Sequence, residues 1–254
     1  GIKPIIGCEV YVAPRSRLTK EGRADLSGNH LVLLCKNAEG YKNLCRIVSN
    51  AYTEGFYSKP RTDLEMLKKY SRGLIALSAC LAGEVQRYIT KGLVEEAKKA
   101  ALKYQACFGK GNYFLELQDH GIPEQRTVNG VLQAISRELD IPLVATNDVH
   151  YTYAEDEKSH DILLCIQTGK LVSDQDRMRY EGGQYYIKSE AEMLELFPYA
   201  KEALENAREH VAAVLGCQAR EIYFTSGGTE ADNMAIRTAA ALGARKGKKH
   251  IIST

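Results

Sequence analysis

The stretch Ile141–Tyr151, "IPLVATNDVHY", runs apolar and then stops abruptly in Asn, Asp and His. Its first part predicts a strand over Pro142–Thr146. Side chains alternate along a strand, so Asp148 and His150, two residues apart, are expected to point the same way. The pattern recurs: Glu9 interrupts "IIGCEVYV", His30 opens "HLVLLC", and Cys80 ends "GLIALSAC". Strands are predicted over Pro4–Val12, Leu31–Cys35, Gly73–Ser78 and Tyr113–Leu117. Helical patterns alternate with them at Tyr41–Thr53, Asp63–Tyr70, Leu93–Phe108, Glu124–Leu139 and Glu155–Ile166. This order predicts an α/β fold of parallel β/α units, either a barrel or a doubly wound sheet.

Polar groups in apolar strands need a reason. In a β/α barrel the strand ends gather at one rim, the usual place for chemistry. A carboxylate, a thiol and imidazoles converging there suit a Zn²⁺-type ion, because a Cys ligand disfavours Mg²⁺ and Ca²⁺. The candidate set is Glu9, His30, Cys80, Asp148 and His150. Each member has a plainer reading. A strand Glu pairs with Arg or Lys, a His caps a strand end through backbone bonds, and a lone Cys is more often core. The set outweighs its members because all five fall at predicted strand positions. His120 is expected near the rim without an assigned role, and His160 is expected to be structural.

The chain has 254 residues, 44% hydrophobic and 26% charged, with a net charge of +2. These are values of a globular protein, with no global basic field that points to nucleic acid. No apolar run is long enough to span a membrane, and no signal peptide is evident. The cysteine number is odd, at 7, with no CxxC. Reduced thiols in a cytoplasmic protein are expected, most of them buried as small hydrophobes. The first residue is Gly and the last, "KKHIIST", stop in a predicted strand, so both ends are read as cut. Near the end of the first region, "RMRYEGGQYYIKS" predicts a small hairpin, and "SEAEMLELF" a helix opened by a capping box.

"GIKPIIGCEVYVAPRSR", "NHLVLLCKNAEGYKNLCRIVS", "GLIALSACLAGEV", "LELQDHGIPEQ", "IPLVATNDVHY" and "YYIKSEAEMLELFP" together resemble the PHP (polymerase and histidinol phosphatase) domain of bacterial DNA polymerase III alpha subunits. The resemblance runs over residues 1–204. It implies an incomplete, distorted β/α barrel with bound metal ions and phosphoester-cleaving chemistry, at a phosphoesterase or 3′–5′ exonuclease type site. It places the family's metal ligands at Glu9, His30, Cys80, Asp148 and His150. DNA and replisome subunits are the implied partners. The family's His-x-His and Thr-Asp-His segments precede "GIKPIIG" and are not here, and neither are the polymerase palm and fingers. Weak or no metal-dependent nuclease activity, and no polymerisation by this chain alone, are therefore expected.

The last region carries a second signature. "EIYFTSGGTEADNMAIRTAA", Glu221–Ala240, reads as strand, glycine turn and helix. A glycine pair before a helix N-terminus can cradle a phosphate, though a plain β–α turn reads the same way. The wider string from "ALENAREHVAAVLG" to "GKKHIIST" resembles the pyridoxal-phosphate domain of cysteine desulfurases, which are class V aminotransferases. That resemblance implies a partial strand–helix–strand over 205–254, with Gly228 and Thr229 at the vestigial phosphate position. The family's Schiff-base Lys is not in the chain, so pyridoxal phosphate is not expected to bind. The two resemblances meet at "YAKEALENAR", where both families carry nearly the same helix. The chain is read as a chimera joined there, by recombination or by sequence-assembly error. A desulfurase fragment in sulfur transfer and a non-catalytic replisome-binding module are the competing functional readings.

Overall fold

The computed structural model describes residues 4–26, 28–180 and 182–198, with isolated positions between 209 and 218. The described elements are, in order, β1 (Gly7–Val12), β2 (Asn29–Cys35), α1 (Ala38–Thr53), β3 (Arg61–Thr62), α2 (Leu64–Tyr70), β4 (Leu74–Leu77), α3 (Glu84–Thr90), α4 (Val94–Phe108), β5 (Tyr113–Leu117), α5 (Pro123–Leu139), β6 (Leu143–Ala145), α6 (Glu157–Thr168) and α7 (Glu190–Leu196). The strands form one sheet in the order β3-β1-β2-β4-β5-β6. The α/β class is as expected, and among the described residues the strand order is linear. Over 200–215, where the sequence up to Gly216 predicts a further helix, only Glu209, Ala212 and Ala213 are described, each of them helical, and the strand–helix–strand expected beyond lies outside the described residues.

The sheet is mixed rather than made only of parallel units. β2 runs antiparallel to both β1 and β4, while β4, β5 and β6 are parallel. The link from β1 to β2 carries only a 3-10 turn at Arg23–Asp25, with no crossover helix, so β2 returns antiparallel. Alternation then divides the side chains. Leu31, Leu33, Ala76, Leu115 and Leu117 enter the main core under the helices. Leu77, Phe114 and Val144 form a smaller cluster on the opposite face, with Val32, Leu34 and Ile75 against it. Helix α1 contributes Leu44, Ile47 and Ala51 at helical spacing to the core. Its N-cap, Asn37, accepts from the Gly40 amide at 2.9 Å. Gly40 must be Gly, because a Cβ there would lie 1.8 Å from the Gly73 carbonyl oxygen.

The capping box is present: Ser189 Oγ accepts from the Glu192 amide at 3.3 Å, and the Glu192 carboxylate accepts from the Ser189 amide at 2.7 Å. Helix α7 leads into Phe197, 1% exposed in the main core. Among the described residues of 177–189 the expected hairpin does not form; Tyr186 makes an isolated bridge, to Tyr151. The backbone there is taken by another segment. The His150 amide donates to Tyr185 O at 2.8 Å, and the Asn147 side chain donates to Gln184 O and Tyr186 O. The cysteine expectation also needs correction. The six described thiols are free, but only Cys107 and Cys165 are buried, and Cys45 is exposed.

Arg61 anchors the long β1–β2 connection. It is 0% exposed and donates to the carbonyls of Gly55, Asp25, Arg17 and Thr19 at 2.7–3.1 Å. The planar guanidinium fork reaches all four, which a Lys ammonium on its single stem does not. Arg61→Lys is therefore expected to lower unfolding free energy by about 2–3 kcal/mol, measured by urea denaturation. An unchanged midpoint and slope would show that the loop closes without the fork.

Candidate metal centre

Glu9 lies opposite Val32 and His30 opposite Tyr11 in the β1–β2 ladder. Glu9 and His30 are thus diagonal neighbours on one face, within reach of each other. His30 Nδ1 is 2.9 Å from Glu9 Oε1, and the Tyr11 ring meets the imidazole edge-on at 5.0 Å. The His30 amide donates to Ala82 O at 3.1 Å, which ties β2 to the loop after β4.

That loop delivers Cys80. Ala79 has φ +63, a left-handed conformation that costs an L-residue roughly 1–2 kcal/mol. It turns the chain back so that Cys80 Sγ lies 3.5 Å from His30 Nδ1. The turn closes through Gly83, whose amide donates to Cys80 O at 2.8 Å. A Cβ at Gly83 would lie 2.1 Å from Ser78 O, so no other residue fits the turn. Ligand atoms of Glu9, His30 and Cys80 all lie within 4.8 Å of one another. Tetrahedral ligands at zinc distances are separated by about 3.3–3.8 Å, so the His30–Cys80 spacing already suits an ion and the His30–Glu9 pair needs only to open slightly.

Asp148 and His150 arrive differently from the expectation. β6 ends at Ala145, so strand alternation does not extend to them. Asp148 instead sits at φ +41, in the left-handed region. Burial raises its carboxyl pKa and His150 opposes this, with Glu9, His120 and His30 also within electrostatic range. His150 Nδ1 is 2.6 Å from the Asp148 carbonyl oxygen. A carbonyl only accepts, so Nδ1 donates this bond, and Nε2 is the ring nitrogen left to meet a metal. Asp148 and His150 therefore flank the Glu9–His30–Cys80 group without belonging to the set that lies in mutual ligand reach.

His120 is 3% exposed, and both its ring nitrogens are occupied. Nε2 donates to Asn147 O at 2.8 Å, and Nδ1 accepts from Gln125 Nε2 at 2.8 Å. Its ring stacks on Tyr185 at 3.9 Å. It braces the loop that carries Asp148 and has no nitrogen left for an ion. His160 also touches the site: its ring lies 5.3 Å from Tyr180 and 5.7 Å from His150. Tyr180 packs on His150 at 4.1 Å, and its phenol is pushed up to about 12 by burial and then by Asp148, Cys80 and Glu9. Tyr180 and Tyr185 carry no motif of their own in the sequence; they are found only through the packing.

The charge balance suits a cation. Burial, with Asp148, Glu9 and Glu116, pushes the Cys80 thiol up to about 12, against a backbone hydrogen bond that lowers it. A positive ion would reverse that, since a coordinating thiol is deprotonated. The donor set therefore fits a Zn²⁺-type ion. A cavity of about 10 Å³ beneath Cys80, lined by Gln86, Glu116, Gln118 and Gln125, is too small for a substrate.

Glu116 is the group that strand reading missed, although it interrupts "YFLEL" as Glu9 interrupts its own strand. Burial raises its pKa to about 7, against hydrogen bonds from Thr146 and Gln118 that lower it. A carboxyl with a raised folded-state pKa takes up a proton on folding. Its contribution to stability is thus fully present below the ordinary value of 4.5 and is lost as pH rises through about 7. Glu116→Gln is expected to flatten this fall, measured as the difference in urea unfolding free energy between variant and parent from pH 4.5 to 8. A pH-independent difference would place the titration elsewhere.

Comparison with known proteins adds two family matches. A PHP domain model matches residues 1–120, and an aminotransferase class-V model matches residues 174–254. The DNA polymerase III subunit alpha of Treponema pallidum is 47% identical over 207 residues, covering 81% of this chain and 18% of that protein. Its counterpart in Borreliella burgdorferi is 48% identical over 207 residues, with the same coverage of 81% and 18%. That of Thermus aquaticus is 42% identical over 203 residues, covering 79% of this chain and 17% of that protein. The chain thus spans under a fifth of the length of these relatives. It carries a PHP domain homologous to that of bacterial DNA polymerase III alpha subunits, followed by a segment related to the class-V aminotransferases.

Proposed function

We propose that this PHP domain serves DNA replication as part of a polymerase III alpha subunit and holds a divalent ion, Zn²⁺ or similar, at a phosphoester-cleaving site of 3′–5′ exonuclease type. The observation that carries the reading is the convergence of Glu9, His30 and Cys80 within 4.8 Å, from two paired strands and a strained turn. Those three residues would hold the ion, with Asp148 and His150 completing its surroundings. When bound, such an ion supplies Lewis-acid stabilisation of charge on a phosphoester. The chain's own groups do the rest. Glu9 orients the His30 ring, the Asp148 carbonyl orients the His150 ring, and Tyr180 packs against that ring. With three donors in mutual reach, slow turnover at most is expected.

DNA and replisome subunits are the proposed partners, and free thiols among the described cysteines support a cytoplasmic location. No helix among the described residues is long and apolar enough to cross a membrane. We place the domain boundary at about residue 204, which the burial of Phe197 in the main core supports. Gly228 and Thr229 lie outside the described residues, and no pyridoxal-phosphate chemistry is proposed.

Calorimetric titration of the chain with Zn²⁺ tests the site. Glu9→Gln, His30→Ala and Cys80→Ser are each expected to weaken binding by at least about 10-fold. Cys45→Ser, exposed on α1, is expected to leave it unchanged. On a 3′-labelled oligonucleotide the parent is expected to release little or no nucleotide, and chelation should stop whatever release occurs. Equal Zn²⁺ affinity in all three site variants would overturn the reading.

A further inference from the structure

We propose that Glu116 is a positioning residue of this centre, a buried carboxylate that clamps the Cys80 turn and the strand end leading to Asp148 into one geometry; the proposal rests on the metal reading above.

Glu116 sits on β5, 5% exposed, between the two segments that carry Cys80 and Asp148. Toward β4, its Oε2 accepts from the Ala79 amide at 2.9 Å, and its own amide donates to Ser78 Oγ at 2.8 Å. Gln86 closes the same turn from α3, donating to Ser78 Oγ at 2.7 Å and to Ala79 O at 2.9 Å. Both backbone groups of Ala79, the residue held at φ +63 immediately before Cys80, are therefore bonded to buried side chains. Toward β6, Glu116 Oε1 accepts from Thr146 Oγ1 and from Gln118 Nε2. Thr146 is two residues before Asp148, and its amide is held by Leu117 O at 3.0 Å.

No apolar residue makes this set of bonds. Three donors, Ala79 N–H, Thr146 O–H and Gln118 N–H, point at two oxygens of one side chain. An apolar side chain of the same length leaves all three unsatisfied and removes the restraint on a left-handed Ala. A Gln can repair the set. Its oxygen keeps the Ala79 bond, its amide group donates to Thr146 Oγ1, and the Gln118 amide turns to offer Oε1, which has no partner in the present arrangement. Glu116 touches neither Glu9 nor His30 in any of these bonds. Its loss should loosen half of the centre and leave the β1–β2 half in place.

The test compares Glu116→Met, Glu116→Gln and Thr146→Val in the full chain, each first shown to be folded by circular dichroism. Co²⁺ affinity is read by competition with a chelator, and backbone amide exchange is read without metal. Glu116→Met is expected to weaken Co²⁺ binding by about 10–100-fold, the range for residues that orient ligands, and Glu116→Gln to restore most of it. Thr146→Val removes only the β6 arm and should weaken binding by less, about 10-fold at most. Exchange should accelerate over residues 78–83 and 145–150 in Glu116→Met and over 145–150 in Thr146→Val, and in both stay at the parent rate in β1 and β2. If Glu116→Met does not fold, Thr146→Val alone decides. Parental Co²⁺ affinity and parental exchange in a folded variant overturn the proposal. Absence of Co²⁺ binding in the parent itself would sink the metal reading, and the exchange pattern would then decide the positioning role alone.

Discussion

Glu9 lies opposite Val32, and His30 stands two residues before Val32, so carboxylate and imidazole share one face of the antiparallel β1–β2 pair. Side-chain period in a strand is two, and a slip of one residue by either strand would send its own polar group into the apolar core under the helices. The register is held from the other face, where Val10, Leu31 and Leu33 are buried in the main core. Packing energy in the core thus fixes the spacing of a polar pair on the opposite surface. The remaining ligand candidates are brought to this pair by loops.

Those loops are expensive. Ala79 and Asp148 both adopt left-handed backbone conformations that L-residues avoid. Each is braced by buried polar groups: Glu116 and Gln86 on Ala79, and His120, Asn147 and Tyr185 around the Asp148 loop. Strain of this kind persists only where surrounding structure over-determines it, and it concentrates at functional sites. The crowding of Glu9, Asp148 and Glu116 around the Cys80 thiol points the same way. Arranged without a cation, these carboxylates disfavour the charged form of the Cys80 thiol.

Much of the fold was legible because it follows from local rules. β5 falls on Tyr113–Leu117 as read, and the helix from Asp63 starts one residue later with Asp63 as its N-cap. The capping box at Ser189 also forms. The misses have a common cause. The hairpin pattern at 177–189 was a correct reading of turn chemistry, but Tyr185 gives its carbonyl to His150 and Tyr151 instead. β2 was expected in parallel units, yet its antiparallel course depends on the lack of a crossover helix between β1 and β2. Glu116 escaped notice because a single Glu in a strand looks the same whether it faces solvent or a buried amide.

The sequence by itself determined five of the strands and the longer helices, though not β3 or α3, and it marked Glu9, His30, Cys80, Asp148 and His150 as polar residues set in or beside apolar runs. Periodicity and capping are local properties, carried by neighbours a few residues apart. Only the tertiary structure decided that Glu9, His30 and Cys80 come within ligand reach while Asp148 and His150 flank them. That outcome depends on strand register, on a left-handed turn at Ala79, and on a carboxylate 37 residues away in sequence that accepts its amide. Hydrogen bonds of that separation leave no periodic trace in a chain; they exist only once the strands that carry them are packed.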